Sequence, residues 1–286
     1  MRNLPLHPGA RGLEDDCAVL EIGGETLVLT HDAMAEGTHF RADADMADVA
    51  WKLVASNLSD LAAKGAEPIG VLLGHCLATD NAGFVKGLSE ALKAFNVVLL
   101  GGDTIATEGA KVFGLTAIGK ATHKPVPGRG GARVGDAIYV TGMLGRAMLG
   151  FESASEHISA YSRPMALLTE GQALAPHVSA MMDISDGLLL DCLRMAEASA
   201  MTFDLNSSVI PVAAPERLRE CLSWGEDYEL LFTAPKDQAL PINAYRIGVV
   251  KPFDIASLWL DTEIVSPDDR IGYQHRLAER SEPRNT

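Results

Sequence analysis

The chain has 286 residues, 47% of them apolar and 22% charged, and carries a formal net charge of −14. That length allows one large or two medium domains with an ample core. The charge argues against a nucleic-acid partner, which would want a basic face, and no apolar run reaches the roughly eighteen residues needed to span a membrane. Cys17, Cys76, Cys192 and Cys221 stand far apart without a Cys-x-x-Cys pair, so neither a zinc site nor a disulfide frame is expected. The start Met1–Gly9 lacks an apolar signal core, and the expected location is cytoplasmic. If the substrates are phosphates, cations must bridge them to so acidic a chain; the plainer reading is an acidic surface that aids solubility.

Residues 1–14 read as an irregular leader with Pro5, Pro8, Gly9 and Gly12. Asp15-Asp16 then open a short strand to Leu20, Gly23-Gly24 turn the chain, and Thr26–Asp32 forms the partner strand. His39 falls in a polar loop, where a structural role competes with a substrate contact. From Met46 to Gly65 the spacing predicts a helix whose stripe is Ala50, Leu53, Val54, Leu58 and Leu61. Asn57 and Asp60 share another face of it, either acting together or simply solvated. Pro68–Leu77 reads as a strand and Phe84–Phe95 as a second amphipathic helix.

That helix delivers the chain to Val97-Val98-Leu99-Leu100-Gly101-Gly102-Asp103-Thr104, read as a buried strand stopped by glycines. Glycine backbone can approach a ligand and offer N–H groups, and Asp103 follows with a carboxylate. Phosphate donors beside a cation ligand suit a Mg²⁺–nucleotide site, although Gly-Gly-Asp is also ordinary turn chemistry. Lys111–Lys120 adds a further strand, and the order β-β-α-β-α-β marks an α+β domain rather than a Rossmann unit. Gly114–Lys120 matches P-loop spacing, but Ala121 replaces the Ser/Thr and strand formers fill the interval, so that reading is rejected.

His123–Gly135, rich in Pro and Gly, is the expected linker, dividing the chain into 1–122, 123–135 and 136–286. Arg129 within it can clamp phosphate or merely sit exposed. Beyond it, Ala137–Thr141 reads as a strand, followed by a short helix from Leu144, a polar loop over Ser153–Tyr161 and a helix over Met165–Leu174. Val178–Asp183 leads into Ser185-Asp186-Gly187 and a helix with Leu188, Leu189, Cys192 and Leu193 on its stripe; Ser185 is the expected N-cap. Glu226, Asp227 and Glu229 surround Tyr228 at a strand start, Tyr245–Val250 is another strand, and Leu258–Val265 reads as a hairpin. The tail Arg276–Thr286 is charged and expected to fray. Aspartates therefore recur at element ends: Asp15-Asp16, Asp32, Asp60, Asp103, Asp183 and Asp186. Such a set predicts an acidic cluster for several hard cations.

In order along the chain, Asp15–Leu20, Thr30-His31-Asp32 with Glu36–Phe40, Asn57–Ala62, Gly101–Thr104, Asp183–Leu188 and Gly225–Leu230 resemble the thiamine-monophosphate kinases, within the aminoimidazole-ribonucleotide-synthetase-like superfamily. The resemblance runs from about Asp15 to Tyr273, and its specificity lies in the ordered set. It implies two α+β domains, an N-terminal sheet that pairs in a homodimer and a C-terminal mixed sheet with helices. It implies transfer of the γ-phosphate of ATP to thiamine monophosphate, assisted by several Mg²⁺ ions, without nucleic-acid or membrane partners. By position, Asp16, Asp32, Asp60, Asp103, Asp183 and Asp186 resemble the metal carboxylates, with Thr30 and His31 where the family also places metal contacts. Gly102, Asp103, Arg129 and Ser185 resemble nucleotide contacts; His39, Glu226 and Tyr273 resemble acceptor contacts. No side chain is implied as an acid, base or nucleophile. The chain departs from the family in Glu14 (for Gly), His31 (for Thr) and a shortened stretch between Gly145 and Arg163. Selenophosphate synthetase and the hydrogenase-maturation dehydratase fit less well, since Cys17 follows the aspartates and the chain ends Arg284-Asn285-Thr286. A non-catalytic nucleotide sensor is the rival of another class, disfavoured by the complete set of aspartates.

Overall fold

The structure, a computed structural model, describes residues 4–78, 80–152 and 155–274. The first half contributes β1 (Ala18–Ile22), β2 (Glu25–Ala35), α1 (Met46–Ala63), β3 (Ala66–Cys76), α2 (Asn81–Ala94), β4 (Leu99–Ile105) and β5 (Val112–Ala121). Its strands form a five-stranded sheet in the order β1-β2-β5-β3-β4, antiparallel except for β3 and β4, which α2 joins as a crossover. The second half contributes β6 (Asp136–Val140), α3 (Arg146–Phe151), α4 (Ile158–Ser162), α5 (Leu168–Leu174), β7 (Ala180–Asp183), α6 (Leu188–Ala198), β8 (Met201–Leu205), α7 (Leu218–Ser223), β9 (Leu230–Pro235), β10 (Tyr245–Pro252), β11 (Leu258–Leu260) and β12 (Glu263–Ile264). Its strands form a mixed seven-stranded sheet, β12-β11-β8-β10-β6-β9-β7. The architecture is α+β in both halves, and β11–β12 is the expected hairpin. The rejected P-loop lies wholly within β5.

The two sheets share α1. Asp45 caps its start by accepting from the Ala47 N–H at 2.8 Å. Leu53, Leu58 and Leu61 pack into the first core with Phe84, Phe113 and Leu115. Ala62 and Ala63 instead join Leu174, Met181 and the stacked rings of Tyr139 and Phe232, against the second sheet. The helix is therefore buried nearly all round, including Lys52, Ser56, Asn57, Ser59 and Asp60. The solvated polar face that the sequence allowed is not present. Polar groups buried this way are costly unless partnered, and each of these has a partner.

Several local expectations are corrected. The stretch read as a buried strand is the exposed edge of the first sheet: Leu99 and Leu100 are 47% and 49% accessible. Asp103 lies inside β4 rather than after it, and β2 likewise runs past Asp32 to Ala35. Gly102 is there because a Cβ would stand 1.9 Å from the Leu73 carbonyl oxygen, so no side chain fits. Ser185 does not cap a helix; α6 begins at Leu188 with Gly187 at its N-cap, and the Ser185 carbonyl accepts from the Glu226 N–H at 2.7 Å. The Glu226–Glu229 stretch precedes β9 as irregular backbone, with Glu226 and Tyr228 both at positive φ. The charged tail lies outside the described residues, and among those residues no helix is long and apolar enough to cross a membrane.

Candidate functional site

The site is a cavity of about 750 Å³ between the two halves, running from an acidic floor to an aromatic end. The floor is built from elements far apart in sequence. Asp16 leads into β1, Asp60 lies on α1 and Asp183 ends β7; one oxygen of each lies within 4.8 Å of the others. Thr30, on the α1 side of β2, donates to Asp60 Oδ2. Asn57 Oδ1 accepts from the Asp32 N–H at 2.9 Å, which holds Asp32 on the same face. Ser59 Oγ donates to Asp183 Oδ2 at 2.7 Å, tying α1 to the second sheet. Asp32, Ser185, Asp186, His39, Glu226 and Tyr273 also line the cavity.

Fixed cations hold the rim. Arg129 donates from both Nε and Nη2 to Asp16 Oδ1. Lys64, wholly buried, stands 2.5 Å from Asp15 and 2.6 Å from Asp16 Oδ2. Yet Asp16 Oδ2 is buried and receives no well-directed hydrogen bond. Arg11 bonds Asp15 and the carbonyls of Val126 and Pro127, fastening the leader to the linker. Burial alone would lower Lys64, but the Asp16 and Asp15 carboxylates outweigh it and hold its pKa above the ordinary range.

Electrostatics on the floor run the other way. Burial, reinforced by the Asp16 charge, pushes Asp183 up to about 8. Burial and the Asp32 and Asp183 charges raise Asp60 well above the carboxylate range, and Asp32 is raised by burial and Asp16. Hard oxygens crowded until they resist ionisation, one of them without a hydrogen bond, fit a divalent cation. Cys17 beside them is buried, and its thiol is pushed well up by desolvation and then by Asp60. No reactive thiolate is available at that position.

At the far end, Glu226 faces the cavity and pairs with Lys52 Nζ at 2.7 Å. Lys52 lies on α1 with its Nζ 3.7 Å from the Tyr161 ring centroid, and burial lowers its pKa against the pull of Glu226. His39 Nδ1 accepts from the Ala35 N–H at 3.0 Å, and its ring meets Tyr273 edge-on at 6.5 Å. Tyr273 is anchored by its N–H to the Asp186 carbonyl at 2.9 Å. Trp224 and Phe151 complete an aromatic wall. A carboxylate among ring faces suits a flat, cationic group.

The structure thus gathers Asp16, Thr30, Asp32, Asp60, Asp183, Asp186, Arg129, Ser185, His39, Glu226 and Tyr273 around one cavity. It does not bring Gly102, Asp103 or His31 there. Asp103 pairs with Gly74, Gly74 with Gly114 and Gly114 with Ala33, a row across the sheet face opposite α1. His31 projects on that same face, its Nδ1 2.9 Å from Thr116 Oγ1. Sequence reasoning missed Lys52, Lys64, Ser59 and Arg194. One signal was available: Lys52, Ser56, Asp60 and the C-cap Lys64 recur every fourth residue along a mostly apolar helix, which puts them on one face.

Residues 14–121 match the AIR synthase related protein, N-terminal domain, and residues 133–252 match its C-terminal domain. The thiamine-monophosphate kinase of Caulobacter vibrioides is 35% identical over 84% of this chain and 75% of its own length. That of Salmonella typhimurium is 36% identical over 83% of this chain and 81% of its own. Among solved structures, AaThiL complexed with AMPPCP and TMP superimposes with a TM-score of 0.84 and 27% identity, covering 96% of this chain and 99% of that one. Hydrogenase maturation protein HypE in complex with ATP, at 19% identity and a TM-score of 0.69 over 93% of this chain and 92% of its own, shares the fold. With both halves matched and relatives above 30% identity across most of their length, the chain belongs to the thiamine-monophosphate kinase family of AIR-synthase-related proteins.

Proposed function

We propose that this chain phosphorylates thiamine monophosphate with ATP, giving thiamine diphosphate and ADP by direct in-line transfer, as a cytoplasmic Mg²⁺-dependent enzyme of thiamine diphosphate biosynthesis. The observation that carries it is a single cavity with three convergent carboxylates at one end and a carboxylate among aromatic rings at the other. Asp16, Asp32, Asp60, Asp183 and Asp186 would hold Mg²⁺, and bound there it supplies the positive charge that lets two polyanions meet. The acceptor is itself a phosphate, ionised near neutral pH, so no general base is required of the protein. The residues orient: Arg129 and Ser185 toward the nucleotide, Glu226, His39 and Tyr273 toward the cationic acceptor.

We further assign residues 1–122 to metal binding and dimerisation, 123–135 to the linker and 136–286 to completing the site. The second copy is needed because Asp103 and His31 stand on the sheet face opposite the cavity, while Gly102, beside Asp103 on β4, lies at the sheet edge away from it. That face and its edge expose Leu72, Leu99, Leu100, Ile105 and Val112, and apolar side chains left in water on one face suit an interaction surface. A homodimer formed there carries Asp103 and His31 of each copy to the other's cavity.

The test is chromatographic detection of thiamine diphosphate from ATP and thiamine monophosphate, with and without Mg²⁺. Mg²⁺-dependent product carries the reading. Tight nucleotide binding without product sinks it in favour of a sensor, and a phosphorylated protein that turns over competently would overturn direct transfer.

A further inference from the structure

Arg194 lies on α6, two turns beyond Asp186, and lines the same cavity. Both of its hydrogen bonds leave from one nitrogen: Nη1 donates to Asp186 Oδ2 at 2.5 Å and to Asp191 Oδ1 at 2.9 Å. Asp191 is completely buried and its other oxygen accepts from the Asp186 N–H at 3.1 Å, so it is a fixed anchor. Among the described residues, Nε and Nη2 of Arg194 donate to no protein group, while its side chain keeps 32% of its accessible surface. Arg129, the arginine that the sequence singled out, is the reverse case: its Nε and Nη2 are both spent on Asp16. A guanidinium pinned at one corner, with the remaining fork open to a cavity, matches the paired oxygens of a phosphoryl group.

We infer that Arg194 is a further substrate-binding residue, whose Nε and Nη2 hold phosphoryl oxygens in this cavity while Nη1 stays anchored on Asp191. The inference rests on the phosphoryl-transfer reading for its substrates, but not on thiamine as the acceptor. Those oxygens belong either to the nucleotide or to the acceptor monophosphate, and the two sources separate experimentally.

Two variants are compared with the wild-type protein in Mg²⁺. Arg194→Lys keeps a charge for Asp191 and loses the fork; Arg194→Met loses both. Binding of inorganic tripolyphosphate and of inorganic phosphate is measured by calorimetry, KM for ATP and for thiamine monophosphate by turnover, and Tm by thermal unfolding. The expected result is a loss of about tenfold or more in anion affinity in both variants, with the lysine variant keeping the wild-type Tm. A nucleotide role moves tripolyphosphate affinity and KM for ATP; an acceptor role moves phosphate affinity and KM for thiamine monophosphate. If the methionine variant does not fold, the lysine variant decides alone. Anion affinities and both KM values within twofold of wild type in the lysine variant overturn the inference. Arg194-dependent tripolyphosphate binding by a wild-type protein that makes no thiamine diphosphate leaves the inference standing and removes the acceptor reading.

Discussion

Ser59 and Asp183 meet across the join between the two halves: the serine hydroxyl on α1 donates to Asp183 Oδ2 at 2.7 Å, and neither residue is more than 2% exposed. This bond orients a carboxylate of the proposed metal site from the opposite half of the chain, which makes it a point where packing and chemistry coincide. Replacing Ser59 with Ala removes the donor and leaves a buried acceptor unsatisfied, a loss of about 1–3 kcal/mol. The expected outcome is a lower Tm together with a higher Mg²⁺ concentration for half-maximal activity, read by thermal unfolding and by Mg²⁺ titration of turnover.

Crowded carboxylates set the pH dependence of the metal-free protein. Asp183 moves from an ordinary value of 3.8 up to about 8 on folding, and Asp32 and Asp60 move the same way. The folded state therefore binds more protons than the unfolded chain, and stability falls as pH rises. The window lies between about pH 4 and pH 8. In chelator, Tm should drop across that window; with Mg²⁺ the drop should shrink or reverse. A metal-free Tm that climbs steadily to pH 8 contradicts this account of the floor.

Lys52 and Glu226 form a pair in which only the lysine is fully buried. Lys52→Met leaves Glu226 without its partner beside Tyr161 and should cost about 2 kcal/mol, below the full cost of breaking a buried pair because Glu226 is partly exposed. Glu226 then loses its fixed position, so KM for thiamine monophosphate rises while KM for ATP stays close to wild type. Steady-state kinetics varying each substrate separately checks the split.

The face carrying Asp103 makes the proposed dimer testable in solution. Asp103→Asn and Asp183→Asn chains should each lose about a hundredfold or more in activity while keeping their Tm close to wild type. If each site draws Asp103 from the second copy, co-expressed mixtures should recover roughly a quarter of wild-type activity, since half the dimers are mixed and each then holds one intact site. No recovery in a mixture shown to contain mixed dimers excludes a shared site.

Much of this was legible in the sequence because the relevant signals are local. Apolar spacing placed α1, α2 and most strands, and the ordered aspartate motifs carried the family. Composition and periodicity also separated the β5 run around Gly114 from a phosphate-binding loop, since strand formers cannot serve as a flexible one. What sequence alone could not decide was which face of each element meets which partner. The apolar run at Val97–Leu100 has the composition of a buried strand, yet only Val97 is buried; Val98, Leu99 and Leu100, leading into the last strand of the sheet, stay exposed in the single chain. Thr30 and His31 are neighbours in sequence, but the two-residue period of β2 sends one to Asp60 and the other to the opposite face. Lys52 and Lys64 would sit in water on an isolated helix; only the closure of the rest of the chain over α1 buries Lys52 against Glu226 and Lys64 against Asp15-Asp16. Residue type fixed the chemistry available to this chain, and the packing of one helix between two sheets decided where that chemistry converges.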